Sequence, residues 1–71
     1  MRMAKFVRVR DGDGEILVAL SSIRKIMREG YHRASVVQLE GGDTLYECAH
    51  EYMATPNVAD CIVEIGGSDE S

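Results

Sequence analysis

Seventy-one residues with a formal net charge of −4, 45% hydrophobic and 28% charged content are enough for one small folded domain and too rich in apolar residues for a disordered chain. No run approaches the roughly 20 apolar residues of a membrane span. The start, Met1-Arg2-Met3-Ala4-Lys5, passes straight into alternating residues rather than a signal-peptide core, so a soluble cytoplasmic protein without a membrane partner is expected. The interior is thin: six of the apolar residues are Ala and four are Met, with one Phe and no Trp. Chains of this size often add a disulfide framework, a metal or a second subunit, and two cysteines make no framework, which leaves self-association as the expected supplement.

In chain order, the first predicted element is a hairpin: Lys5–Arg10, a turn at Asp11-Gly12-Asp13-Gly14, and Glu15–Leu20. Asp-Gly supplies the positive φ that tight hairpin loops need. Alternation puts Val7 and Val9 on one face with Ile16, Val18 and Leu20. The opposite face carries Arg8, Arg10, Glu15 and Leu17, with Phe6 and Ala19 further along, and is expected to be mostly wet. Ser21-Ser22 then opens Ile23–Arg28, which fits a single helical turn and a short strand ending at Met27 equally well. Glu29-Gly30-Tyr31-His32-Arg33 reads as a polar loop.

A second hairpin is predicted from Ala34–Leu39 and Thr44–Ala49 around Glu40-Gly41-Gly42-Asp43. With Gly41-Gly42 as the loop, Val37 and Leu39 share a face with Tyr46 and Cys48, while Val36, Gln38, Leu45 and Glu47 share the other. Both faces are partly apolar, as suits a central hairpin or one that meets another subunit. Ala49, Tyr52 and Met53 at helical spacing before Pro56 predict a short helix over 50–55. Val58–Ile65 matches a helical and a strand template, and its β-branched content favours the strand. The pattern predicts a mainly β (α+β) domain over 1–67, a small antiparallel sheet or half-barrel of about five strands built from two hairpins with one or two short helical segments. Residues 68–71 are expected to form a disordered acidic tail.

The charges are segregated. All eight Lys and Arg lie in residues 1–33, which net +4, whereas residues 34–71 hold eight acids and no base and net −8. Such a basic half can hold phosphates or an acidic protein; the plainer alternative is that the two halves pair with each other, within a monomer or between copies. A dedicated nucleic-acid binder is usually basic overall, which favours pairing.

Motifs for chemistry are weak. Asp11-Gly12-Asp13-Gly14-Glu15 starts like a calcium loop but has Ile16 where the sixth-position Gly belongs and Ser22 where the bidentate Glu belongs. Cys48, His50, Cys61 and His32 lack metal-site spacing, and two buried thiols are the expected state. His50 two positions from Cys48 has no third group to orient it as a base. No cofactor or metal is expected, and the chain reads as non-enzymatic. Tyr31-His32-Arg33 combines a ring, an imidazole and a guanidinium that can stack and pair with phosphate or carboxylate.

The expected function is therefore a small protein-interaction module, as a monomer or homo-oligomer, that binds an unidentified protein partner through Arg8, Arg10, Arg24, Lys25, Arg28, Tyr31, His32 and Arg33. Small chains without a catalytic motif are similar to accessory and inhibitor proteins of phages and other mobile elements. The alternative is a nucleic-acid binder that uses the basic N-terminal half.

Overall fold

One long strand organises the chain. In a computed structural model that describes residues 3–28 and 33–66, β1 (Met3–Asp11) pairs antiparallel with β2 (Gly14–Ala19) along one edge. Along its other edge, Met3 to Val7 pair with β6 (Ile62–Gly66). These three make one sheet in the order β2-β1-β6. A second antiparallel sheet has the order β3-β4-β5, from β3 (Ile23–Met27), β4 (Val36–Leu39) and β5 (Leu45–Glu47). The two sheets join where β1 runs past the end of β6: Val9 bridges Cys48, and the Ala49 N–H donates to the Arg8 carbonyl at 3.1 Å.

The fold is thus mainly β, as the pattern predicts, with six strands and two lone 3₁₀ turns among the described residues. The first hairpin closes at Asp11↔Gly14, leaving Gly12-Asp13 as the loop, with Gly12 at φ 64°. That conformation favours glycine because it has no Cβ. Val7 pairs with Val18 and Val9 with Ile16, the expected register; Val7, Val9 and Val18 are buried with Leu20 packed against them, whereas Ile16, expected on the same core face, is exposed near the hairpin turn. Of the two readings of Ile23–Arg28 the strand is the one observed, with β3 running to Met27; a 3₁₀ turn at Leu20–Ser22 precedes it, where the first hairpin's second strand was expected to reach Leu20.

In the second hairpin, Val37↔Tyr46 and Gln38↔Leu45 have the expected register. The connection is wider than a two-residue loop. The Gly42 N–H donates to the Leu39 carbonyl at 3.4 Å, which puts Glu40 and Gly41 at the turn's centre with Gly41 at φ 80°. Beyond β5 the ladder continues as the Cys48 N–H donates to Ser35 at 2.8 Å.

The helix predicted over 50–55 does not form. Tyr52, which should line its buried face, is 84% exposed, and its N–H donates to the His50 Nδ1 at 3.0 Å. A six-residue helix must offset the cost of nucleation by burying a face, and here the chain on both sides is committed elsewhere: Ala49 to β1, and the Pro56 carbonyl to the Ser35 N–H at 2.9 Å. The ambiguous stretch that follows splits, with a 3₁₀ turn at Val58–Cys61 and then β6. The Asn57 N–H donates to the Asp60 carboxylate at 2.9 Å at the start of that turn.

The core lies between the sheets and is made of small residues, Val7, Val9, Val18, Val37, Cys48 and Cys61, with Leu20, Ile23, Leu39, Tyr46 and Val58 packed around it. Val37 is fully buried, whereas Ile26, its partner in the β3–β4 ladder, is 47% exposed on an outer strand. Urea unfolding should therefore separate them: Val37→Ala is expected to lose about 2 kcal/mol and Ile26→Ala under about 0.5 kcal/mol.

Candidate functional site

Strand alternation gives β1 two faces, and they differ in kind. Val7 and Val9 point into the core and are fully buried. Ala4, Phe6, Arg8 and Arg10 point the other way. The registers then place neighbours on that outer face: Ala19 and Val63 flank Phe6, Ile65 lies beside Ala4, Leu17 beside Arg8 and Glu15 beside Arg10. The result is two apolar rows across the sheet, a mixed row, and a charged end. None of Phe6, Leu17, Val63 and Ile65 belongs to the core cluster; Leu17 is 42% and Ile65 47% exposed. At its β1–β2 end the strip borders a hollow of about 390 Å³ lined by Ala4, Lys5, Phe6, Ala19, Leu20 and Ser21.

This face is less wet than the first hairpin alone predicts. The hairpin supplies Phe6, Leu17 and Ala19, but Val63 and Ile65 arrive with β6 from the far end of the chain. Their alternation is visible in the sequence; their pairing partner is not.

The basic residues expected to bind a partner do not form one patch. Arg8 and Arg10 lie at the charged end of the strip, where Arg8 Nε is 3.9 Å from Glu15 and Arg10 Nε 3.8 Å from Glu47. Lys5 Nζ lies 3.7 Å from Glu64, opposite it in the β1–β6 ladder. Two of these three pairs join the basic half of the chain to the acidic half. Arg24 and Lys25 belong to β3, and Arg24 donates to the Gln38 side chain at 3.1 Å. Arg28 follows β3 and donates to the Asn57 side chain. Arg33 is exposed beside the second hairpin. Tyr31 and His32 lie outside the described residues. At half-exposed positions such pairs contribute little stability, but they engage the cations of β1 with carboxylates of this chain.

Cys48 and Cys61 are buried free thiols, as expected, and they adjoin each other in the core. Burial first, and the adjoining Cys61 second, push Cys48 from an ordinary value of 9.0 up to about 12. Burial raises Cys61 as well, against a lesser lowering effect of the adjoining Cys48. A nucleophilic or metal-ligating cysteine needs its thiolate, and this environment disfavours it. His50, the one base near Cys48 in sequence, is engaged by the Tyr52 N–H. Among the described residues no three His, Cys, Asp or Glu side chains group as a metal site, and no helix is long and apolar enough to cross a membrane.

Comparison with protein-family models, with curated proteins and with solved structures finds no match to this chain.

The raised thiols predict an alkaline weakness. Between pH 9 and 12 the unfolded chain loses the Cys48 proton while the folded chain keeps it, so the stability is complete below pH 9 and falls as pH rises toward 12. One such group gives a slope of at most about 1.4 kcal/mol per pH unit. Urea midpoints measured across this range should fall less steeply in Cys48→Ala than in the unsubstituted protein.

Proposed function

We propose that the protein is a non-enzymatic interaction module that binds a macromolecular partner through the outer face of the β2-β1-β6 sheet. The observation that carries this reading is the apolar strip of Ala4, Phe6, Leu17, Ala19, Val63 and Ile65, placed on the side of the sheet away from the core. Apolar residues scattered singly on a surface need no explanation, whereas adjoining rows with a polar rim mark interaction sites. Small size and a thin core favour the same conclusion, since the strip is apolar area that the monomer does not bury for itself.

The nucleic-acid alternative draws less support. Lys5, Arg8 and Arg10 each have a carboxylate within 4 Å, and Arg24 and Arg28 donate to amide oxygens. Binding phosphates would require breaking those pairs within a chain that is acidic overall.

The test is a comparison of the unsubstituted protein with Leu17→Lys/Ile65→Lys. Both positions are half-exposed, so the double variant should keep its β circular dichroism and unfold within about 1 kcal/mol of the parent. Co-purification from host extract should recover a partner with the parent and lose it with the variant. Equal recovery with both would remove the face from the function. A short DNA or RNA duplex that binds at low salt, with affinity falling steeply as salt rises, would instead favour the nucleic-acid alternative.

A further inference from the structure

We infer that Cys48 and Cys61 are a latent disulfide, which closes when a small-molecule disulfide such as oxidised glutathione reaches the opened core, and which then ties the two sheets together at their joint. The placement comes from β1. Val9 bridges Cys48 and Val7 pairs with Ile62 on the same edge of that strand, the other edge being taken by β2. Cys61 immediately precedes Ile62 in an antiparallel partner, so it enters this edge at about the level of Arg8, next to the place of Cys48. A strand residue there would point outward with Arg8. Cys61 instead ends the 3₁₀ turn Val58–Cys61, and it is buried at 3% exposure in the same core cluster as Cys48 at 1%. The surroundings of its sulfur include Cys48, Arg8 and the Ala49 backbone. Neighbouring places along a strand are about 3.4 Å apart, and a disulfide needs Cα atoms no more than about 7 Å apart. The bond therefore closes without dragging either element across the core.

In the closed fold the reaction is gated. A small disulfide cannot enter a core in which both sulfurs are buried, and burial keeps the Cys48 thiol protonated. When the core opens, one protein thiolate attacks a sulfur of the small disulfide, which forms a mixed disulfide and releases one small thiol. The other protein thiolate then attacks the protein sulfur of that mixed disulfide, which forms the Cys48–Cys61 bond and releases the second small thiol. Two electrons and two protons pass from the protein thiols to the small disulfide, so no further reactant is consumed. The second step is intramolecular, and refolding brings the two sulfurs together, which favours it over capture of a second small disulfide. The closed bond encloses residues 49–60, between the end of the second hairpin and β6. It removes conformations from the unfolded chain, a gain that counts in a protein whose core is built mostly from valines and these two thiols.

The test is to refold the reduced protein from urea in the presence of oxidised glutathione, then to measure its mass, its remaining thiols by alkylation, and its urea midpoint. The expected product is about 2 Da lighter than the reduced chain, takes up no alkylating agent, and unfolds at a urea midpoint higher by roughly 1–3 M. Its Cys48 no longer titrates, so that midpoint should also fall less between pH 9 and 12 than the midpoint of the reduced protein. The folded, reduced protein given oxidised glutathione without urea should form the bond at least about tenfold more slowly, because it must first open. Cys48→Ala treated in the same way should end with one glutathione on Cys61 and no gain in midpoint. A product with glutathione on both cysteines, a product linked between chains, or an internal bond that leaves the midpoint unchanged or lower would each overturn the inference. Oxidation of the folded protein as fast as that of the unfolded chain would overturn it as well. Should Cys48→Ala fail to fold, the mass, alkylation and midpoint of the unsubstituted protein decide the question by themselves.

Discussion

The structure depends on β1 being paired along both edges. Met3 to Lys5 pair with β6, Phe6 and Val7 lie between β2 and β6, and the remainder lies beside β2 with the Val9–Cys48 bridge on its other edge leading into the second sheet. A strand held in this way must bury one face, and Val7 and Val9 form the centre of a core that otherwise has few large side chains. The same geometry obliges its alternate residues to face outward. Ala4 and Phe6, and the neighbours that the registers bring beside them, cannot turn inward without moving Val7 and Val9 out. The exposed apolar strip is thus a direct consequence of how the core is built.

Charge acts locally on this frame. The chain's division into a basic first half and an acidic second half suits a sheet that places its first strand beside its last and its fifth. Lys5 meets Glu64 on β6, and Arg10 meets Glu47 on β5. The pairs are exposed and individually weak.

What could be read from the sequence was local. The glycine turns at Gly12-Asp13 and Glu40-Gly41 carry both hairpins, and with them the faces of Val7, Val9, Val18, Val37 and Tyr46 follow from a period of two. Val58–Ile65 matched two templates because a 3₁₀ turn and a strand adjoin within it, whereas Ile23–Arg28 is strand as far as Met27 and was too short for its spacing to separate the two. The spacing of Ala49, Tyr52 and Met53 misled because periodicity shows that a helix could bury a face, and says nothing of whether a surface is there to receive it. The candidate site itself was half visible. Phe6, Ala19 and Leu17 lie within one hairpin, but Val63 and Ile65 reach it only through pairing between the two ends of the chain, which local patterning does not encode. Of the eight expected binding positions, the six that lie among the described residues are spread over separate elements, Arg8 and Arg10 on β1, Arg24 and Lys25 on β3, and Arg28 and Arg33 outside any strand.

The central claim is that β1 and its neighbours have one apolar face turned inward and a second turned outward. Side-chain relaxation by a soluble paramagnetic agent, measured by NMR on a sample dilute enough to be monomeric, tests it most directly. The expected result is strong relaxation of the Leu17, Val63 and Ile65 methyl groups and little of the Val7, Val9 and Val37 methyl groups. Equal shielding of the two sets in the monomer would contradict it.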